Sequence, residues 1–131
     1  MKNKSLKIII IDDNITMTTL LSTLFEMENI EVIAINNIVE TKMKQTIKNH
    51  HPDVMIIDFH LSGSDGLEIV KVIKDDPFLR KIKVIVASGS NMYKESMKVG
   101  ADYFIQKPFM PSELLSKIRL LTTHNGDSID E

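Results

Sequence analysis

The sequence has no cysteine among its 131 residues, which excludes a disulfide scaffold, a thiolate zinc centre and a cysteine nucleophile. It has no excess of either charge, because sixteen Lys and Arg stand against eighteen Asp and Glu for a formal net charge of -2. Nucleic acid is held through a basic footprint, so no nucleic-acid partner is expected. A long apolar run is also missing. Ile8-Ile9-Ile10-Ile11 follows a charged start, but Asp12-Asp13 interrupts it, leaving it too short for a signal-peptide core or a membrane span. No membrane partner and a cytoplasmic location are the expectation. Glycine and proline are scarce, at five and four; no linker rich in Gly, Ser or Pro divides the chain, and no internal repeat is visible. Gly63 and Gly66 belong to no phosphate-cradling fingerprint, since no Lys-Ser/Thr pair follows a glycine-rich turn after a strand. Bound ATP is therefore not expected.

What is present has the size of one ordinary domain. A chain of this length buries roughly 68% of its unfolded surface, enough for a core without covalent staples. Its 43% hydrophobic and 26% charged residues are those of a globular domain.

Apolar runs of strand length recur at Leu6–Ile11, Glu31–Ile35, Val54–Ile57, Lys83–Ala87 and Tyr103–Ile105. They are mostly continuous rather than alternating, which is what a parallel sheet covered on both faces requires. Stripes of three-to-four spacing lie between them: Leu20, Leu21, Leu24 and Phe25, then Leu67, Val70 and Ile73, and later Leu114, Leu115, Ile118 and Leu121. A more exposed helix is predicted over Ile38–Asn49, ended by Pro52, and a short one over Asn91–Val99, with Met92, Ser96 and Val99 on one side. The order predicts an α/β domain: a parallel sheet of five strands with five helices and right-handed crossovers. Residues 1–122 are expected to form it, and residues 123–131 a polar, acidic, disordered tail.

In an open parallel sheet, ligands bind beyond the carboxyl ends of the strands. Asp12-Asp13 follow the first strand, Asp58 the third, Ser88 the fourth, and Lys107-Pro108 come just after the fifth. Three carboxylates, a hydroxyl and an ammonium are thus expected to converge. Gathered acids repel unless a cation joins them, and an oxygen-only donor set favours Mg²⁺ over zinc. A carboxylate can also attack phosphorus and hold it as an acyl phosphate if nearby cations and donors neutralise the developing charge. Asp58, Lys107 and Ser88 suit those roles. Taken singly, each residue has a plainer reading: Asp13 or Asn14 as a helix cap, Ser88 as a backbone partner, and Lys107-Pro108 as a turn. His50-His51 lacks metal-ligand spacing and reads as a solvated turn.

Together these residues resemble the receiver domain of two-component response regulators. The resemblance runs from about Leu6 to Leu121 and rests on Ile11-Asp12-Asp13, Asp58 with Asp65-Gly66, Ser88-Gly89, Gly100-Ala101-Asp102 and Lys107-Pro108-Phe109. It implies a flavodoxin-like three-layer sandwich with strand order 2-1-3-4-5. It also implies a phosphoacceptor at Asp58, a Mg²⁺ site formed by Asp12, Asp13, Asp58 and the His60 carbonyl, and Ser88 and Lys107 on the phosphoryl group. A cis bond before Pro108 and a switching aromatic at Phe104 complete the implied set.

Two departures stand out. Ser62 replaces the proline most relatives carry, which leaves that loop less rigid. The nineteen residues from Ser88 to Lys107 fall about three short of the family interval, nearly one helical turn, so the fourth helix or its loop should be abbreviated.

The implied function is a signalling switch, phosphorylated by a histidine kinase or phosphotransfer protein and read by an unknown output protein. It acts as a monomer or a phosphorylation-dependent dimer, with no catalysis beyond its own phosphoryl transfer and slow dephosphorylation, whose rate His60 could alter. Two alternatives are a receiver-fold scaffold that takes no phosphate and an aspartate-nucleophile phosphohydrolase of haloacid-dehalogenase type.

Overall fold

The structure, a computed structural model, describes residues 5–36, 42–61 and 63–123. Ser62, the first residues of the helix predicted over Ile38–Asn49, and all but the first residue of the expected tail lie outside these.

Five strands form one parallel sheet: β1 (Lys7–Ile11), β2 (Glu31–Ile35), β3 (Val54–Asp58), β6 (Lys83–Ser88) and β7 (Tyr103–Gln106). Their order is β2-β1-β3-β6-β7 and every neighbouring pair is parallel. This is the 2-1-3-4-5 arrangement, with the fourth and fifth strands renumbered because a short antiparallel hairpin, β4 (His60–Leu61) and β5 (Ser64–Asp65), intervenes. The hairpin was not anticipated, since two-residue strands carry no periodicity. The helices are α1 (Ile15–Glu26), α2 (Met43–His50), α3 (Gly66–Asp75), α4 (Tyr93–Lys98) and α5 (Pro111–Thr123).

The continuous apolar strands are explained by two separate cores. Ile8 and Ile10 face the layer of α1 and α5, packing with Leu21, Phe25, Leu114 and Ile118. Ile9 and Ile11 face the opposite layer, with Met43, Ile47, Val70 and Ile73 from α2 and α3. All four isoleucines are at most 1% exposed, and burying each such side chain contributes about 1.5–3 kcal/mol. The helix stripes were partly misread: Leu20 is 51% exposed, while Thr18 takes a buried place beside Leu21 and Phe25. Thr18 is buried because its hydroxyl donates to the Ile15 carbonyl within the helix. The fourth helix has six residues, Tyr93–Lys98, and Ser96 is its buried residue.

A network invisible in the sequence pattern ties α3 to the start of β7. The Lys74 ammonium donates to the carbonyls of Arg80 at 3.0 Å and Ile82 at 2.8 Å and to Asp102 Oδ2 at 2.8 Å. The same carboxylate oxygen accepts the Val84 N–H at 2.8 Å. Gly100, at φ +104°, lies against the Lys74 stem, where a Cβ would come within 3.1 Å of Cγ. Left-handed backbone and close packing both call for glycine there. Asp102→Ala leaves the Val84 N–H and one ammonium proton without acceptors, and is expected to lower unfolding free energy by about 1–3 kcal/mol, as measured by urea denaturation.

Candidate phosphoacceptor site

The carboxyl ends of β1, β3, β6 and β7 lie along one edge of the sheet, and the chemistry-bearing residues sit there. Asp12 continues the ladder of β1, its N–H donating to the Ile35 carbonyl at 3.3 Å. It is 3% exposed. Its Oδ1 accepts the Asn14 N–H at 2.8 Å, and its carbonyl accepts from the Asn36 side chain at 3.0 Å. Asn14 is the α1 cap, its side chain accepting the Met17 N–H, so the capping role falls to Asn14. Asn36 was missed although it directly follows β2, a strand end like those that gave the other site residues.

Asp58 and Ser88 are the last residues of β3 and β6 rather than the first beyond them. Asp58 pairs with Ala87 across the ladder, and Ser88 with Gln106. The Phe59 N–H then donates to the Ala87 carbonyl and the Lys107 N–H to the Ser88 carbonyl, at 2.8 and 2.7 Å. These bonds hold the ends of β3, β6 and β7 in step. The Lys107–Pro108 peptide is cis.

The central contact is made by Lys107. Its ammonium lies 3.1 Å from Asp12 Oδ2 and 3.4 Å from Asp58 Oδ1. It starts beyond β7, while Asp12 follows β1, three strand spacings away, or about 14 Å. A long, flexible cationic side chain is needed to cross β6 and reach both acids. Asp58 Oδ1 also accepts the His60 N–H at 3.3 Å; among the described residues its Oδ2 accepts no hydrogen bond.

Burial raises the Asp58 pKa above the ordinary 3.8, the Asp12 charge raises it further, and Lys107 and the His60 N–H pull it back. The ionised carboxylate is therefore held at a net penalty.

The expected convergence of three carboxylates is only partly realised. Asp12 and Asp58 meet on one ammonium, whereas Asp13 is exposed. Among the described residues no group of three or more Asp, Glu or His is gathered closely enough to hold a metal ion. The two buried carboxylates still suit a magnesium ion, which commonly takes one or two carboxylates and keeps several waters.

Ser88 is fully buried, and its Oγ accepts the Ser90 N–H at 3.1 Å; its O–H remains able to donate. His60 is exposed on the hairpin, with its ring edge-on to Phe59 at 4.7 Å. Phe104 pairs with Val86 in β7 and is half-buried against the α2 and α3 layer.

Gly66 explains part of the hairpin. A Cβ there would fall on the Asp58 carbonyl oxygen, well inside contact distance, so the first turn of α3 can lie against the chain at the end of β3 only with glycine at this position. The Asp65 side chain caps that helix by accepting the Leu67 N–H at 3.0 Å.

The model of the response regulator receiver domain matches residues 8–119. The chain belongs to that family. Like other receiver domains of two-component response regulators it is a signalling domain, which sets aside the phosphohydrolase alternative. It is 31% identical over 126 residues to the phosphate regulon transcriptional regulatory protein PhoB of Pseudomonas aeruginosa, covering 92% of this chain and 54% of that one. The chain thus spans about half the length of that relative. Among solved structures, it resembles the signal receiver domain of a signal transduction histidine kinase from Syntrophus aciditrophicus, with TM-score 0.81 and 25% identity over 97% of this chain and 98% of that one. The receiver domain of the Francisella response regulator 1452 has TM-score 0.82 at 22% identity, over 93% and 100%; that likeness concerns the fold. No helix among the described residues of this receiver domain is long and apolar enough to cross a membrane.

The raised Asp58 pKa has a definite sign. The folded chain binds that proton more tightly than the unfolded one, so stability falls as pH rises through the window above 3.8. In metal-free buffer at pH 7, Asp58→Asn is expected to raise the thermal midpoint by a few degrees, an advantage that shrinks as pH approaches 3.8. Circular dichroism melts at several pH values measure it. Gly66→Ala should cost about 1–3 kcal/mol through forced backbone movement, read from denaturant midpoints.

Proposed function

We propose that this receiver is a phosphoacceptor switch: Asp58 takes a phosphoryl group from a phosphohistidine on a histidine kinase or phosphotransfer protein. The observation that carries this reading is the Lys107 ammonium lying 3.1 Å from Asp12 and 3.4 Å from Asp58 at the carboxyl edge of the sheet. A surface ion pair would need one acid and no burial; here a single cation serves two acids that are 3% and 9% exposed.

In the transfer step, a carboxylate oxygen of Asp58 attacks phosphorus. The P–N bond to the donor imidazole breaks, its electron pair stays on that nitrogen, and an acyl phosphate forms. Asp58 Oδ2 is the oxygen left free of hydrogen bonds among the described residues. Lys107 and the Ser88 hydroxyl are near enough in the ladder to receive the new phosphoryl oxygens, exchanging their present partners for stronger charge-assisted bonds. Asp12, Asp13, Asp58 and the His60 carbonyl would hold Mg²⁺, which when bound supplies positive charge against the phosphoryl oxygens. Water attack on the acyl phosphate later returns the carboxylate.

A donor must also dock. Beside Lys107 a cleft of about 250 Å³ is lined by Met17, Leu20, Leu21, Pro108, Phe109 and Pro111. Ile15, Leu20 and Met110 are 64%, 51% and 66% exposed. An apolar surface at the edge of the reactive group suits a helix of the donor that carries the phosphohistidine. Loss of the Lys107 contact with Asp12 and Asp58 on phosphorylation then alters the balance of conformations that partners read.

The reading is tested with acetyl phosphate and Mg²⁺ as donor and cofactor. Intact mass is expected to rise by one phosphoryl group in the wild type and not at all in Asp58→Asn. Lys107→Ala should slow the gain by about 100-fold, the scale of losing one electrostatic stabiliser. No mass gain, or an equal gain in Asp58→Asn, would favour the scaffold that takes no phosphate.

A further inference from the structure

At the pole opposite Asp58, where β3 and β6 begin, the end of α2 and the loop between α3 and β6 enclose a groove of about 620 Å³. Buried Ile47, Leu79 and Ile82 form its apolar floor. Phe78 stands on one wall, 73% exposed, with the Lys48 ammonium 5.3 Å from its ring centroid. That wall is held in place by its own loop. Asp76 Oδ1 accepts the N–H groups of Phe78 and Leu79 at 2.8 and 3.2 Å, and Oδ2 pairs with Lys44 at 3.4 Å. On the other wall α2 closes at His51 with φ +50°, a left-handed conformation usually taken by glycine or asparagine, and His51 lines the groove.

The charge of the lining has one sign. Lys48, His51 and Lys81 are its ionisable residues, and among the described residues no Asp or Glu lines it. Lys81 makes no ion pair among the described residues. A lone exposed apolar side chain is ordinary, but an aromatic wall above an apolar floor, rimmed by cations, has the character of an interaction site. Its extent favours polypeptide over a compact ion or metabolite. The groove shares Pro52, Lys81 and Ile82 with a second cleft of about 320 Å³ that reaches Leu6 and Thr122, so a chain can lie along both. The acid of that second cleft, Asp53, accepts the Lys7 N–H at 2.9 Å.

We infer that the groove binds an acidic peptide segment of a partner protein. An apolar side chain of the segment packs on Phe78 and Ile82, and its carboxylates pair with Lys48 and Lys81. The ammonium of Lys48 has three donors, so it can meet a carboxylate without leaving the Phe78 ring. Exposed ion pairs are individually weak; here they select the sign of the partner and its register, while the apolar anchor holds it. Because the groove lies away from the carboxyl edge, its occupant leaves Asp58 accessible.

The test titrates the ¹⁵N-labelled full chain into the millimolar range with three blocked peptides, acetyl-EELXDLEE-amide with phenylalanine, leucine or tryptophan at X. Two control sets replace every acid by lysine or every apolar residue by serine. Saturable amide shifts at residues 47–51 and 78–82 are expected with at least one acidic peptide and with neither control. Phe78→Ser and the double variant Lys48→Gln/Lys81→Gln should each raise Kd by about 10-fold, the scale of losing one anchor or two exposed ion pairs. No groove shift with any acidic peptide, or equal shifts with the controls, would overturn the inference. So would groove shifts that grow with protein concentration in the absence of peptide, because they would place a second copy there. No step of the measurement needs phosphorylation, so its failure is distinct from failure of the phosphoacceptor reading.

Discussion

One cation shared by two buried carboxylates governs the reactive end of this receiver domain. Without the Lys107 ammonium, Asp12 and Asp58 would face each other as like charges in a desolvated setting, and one would take up a proton. With it, the Asp58 carboxyl is drawn back toward its ordinary value, though burial and the Asp12 charge still leave it raised. In the proposed transfer Asp58 attacks as the carboxylate, and a carboxylate held at a net penalty gains from attacking. The sheet supplies the required placement, because Asp12, Asp58 and Lys107 come from three strands, and parallel register brings their ends to one edge.

Much of this was legible in the residues. Continuous Ile and Val runs identify strands buried on two faces, and polar residues at their ends stand out because so little else there is polar. Asp12, Asp58, Ser88 and Lys107 were found on that contrast. What escaped were contacts whose partners lie far apart in sequence and whose local pattern is ordinary. Lys74 and Asp102 are 28 positions apart, and a lysine late in a helix reads as a solvated charge until the fold brings the carboxylate and two carbonyls to it. Leu20 joined the apolar stripe by spacing alone, but spacing cannot say where the buried arc of a helix ends.

The two poles of the molecule divide its work. At the carboxyl edge, Asp12, Asp58 and Ser88 are buried polar side chains, a costly arrangement in which Lys107 offsets part of the charge. At the amino edge, the equivalent space is filled by apolar side chains with lysines around them, and nothing there is poised to react. Between the poles lie strands whose interior residues are almost wholly buried. Such a sheet resists deformation, so events at one end reach the other mainly through helices and loops rather than through the strands.

The fourth helix is the shortest of the five and packs beside β7. β7 is fixed at its start by the Asp102 contacts with Lys74 and Val84, and at its end by the bond from the Lys107 N–H to the Ser88 carbonyl. Phe104 lies between these anchors, half-buried. The neighbouring α4 has six residues; its N-cap Met92 makes no side-chain hydrogen bond, while the Asn91 side chain accepts the Tyr93 N–H at 3.2 Å. Its buried Ser96 hydroxyl has no hydrogen-bond partner, where a buried polar group ordinarily finds one. A short helix with an unsatisfied hydroxyl inside it has less to lose from displacement than α1 or α5. The strand leading to Lys107 is thus tied at both ends, while the short helix beside it leaves a buried hydroxyl unpaired.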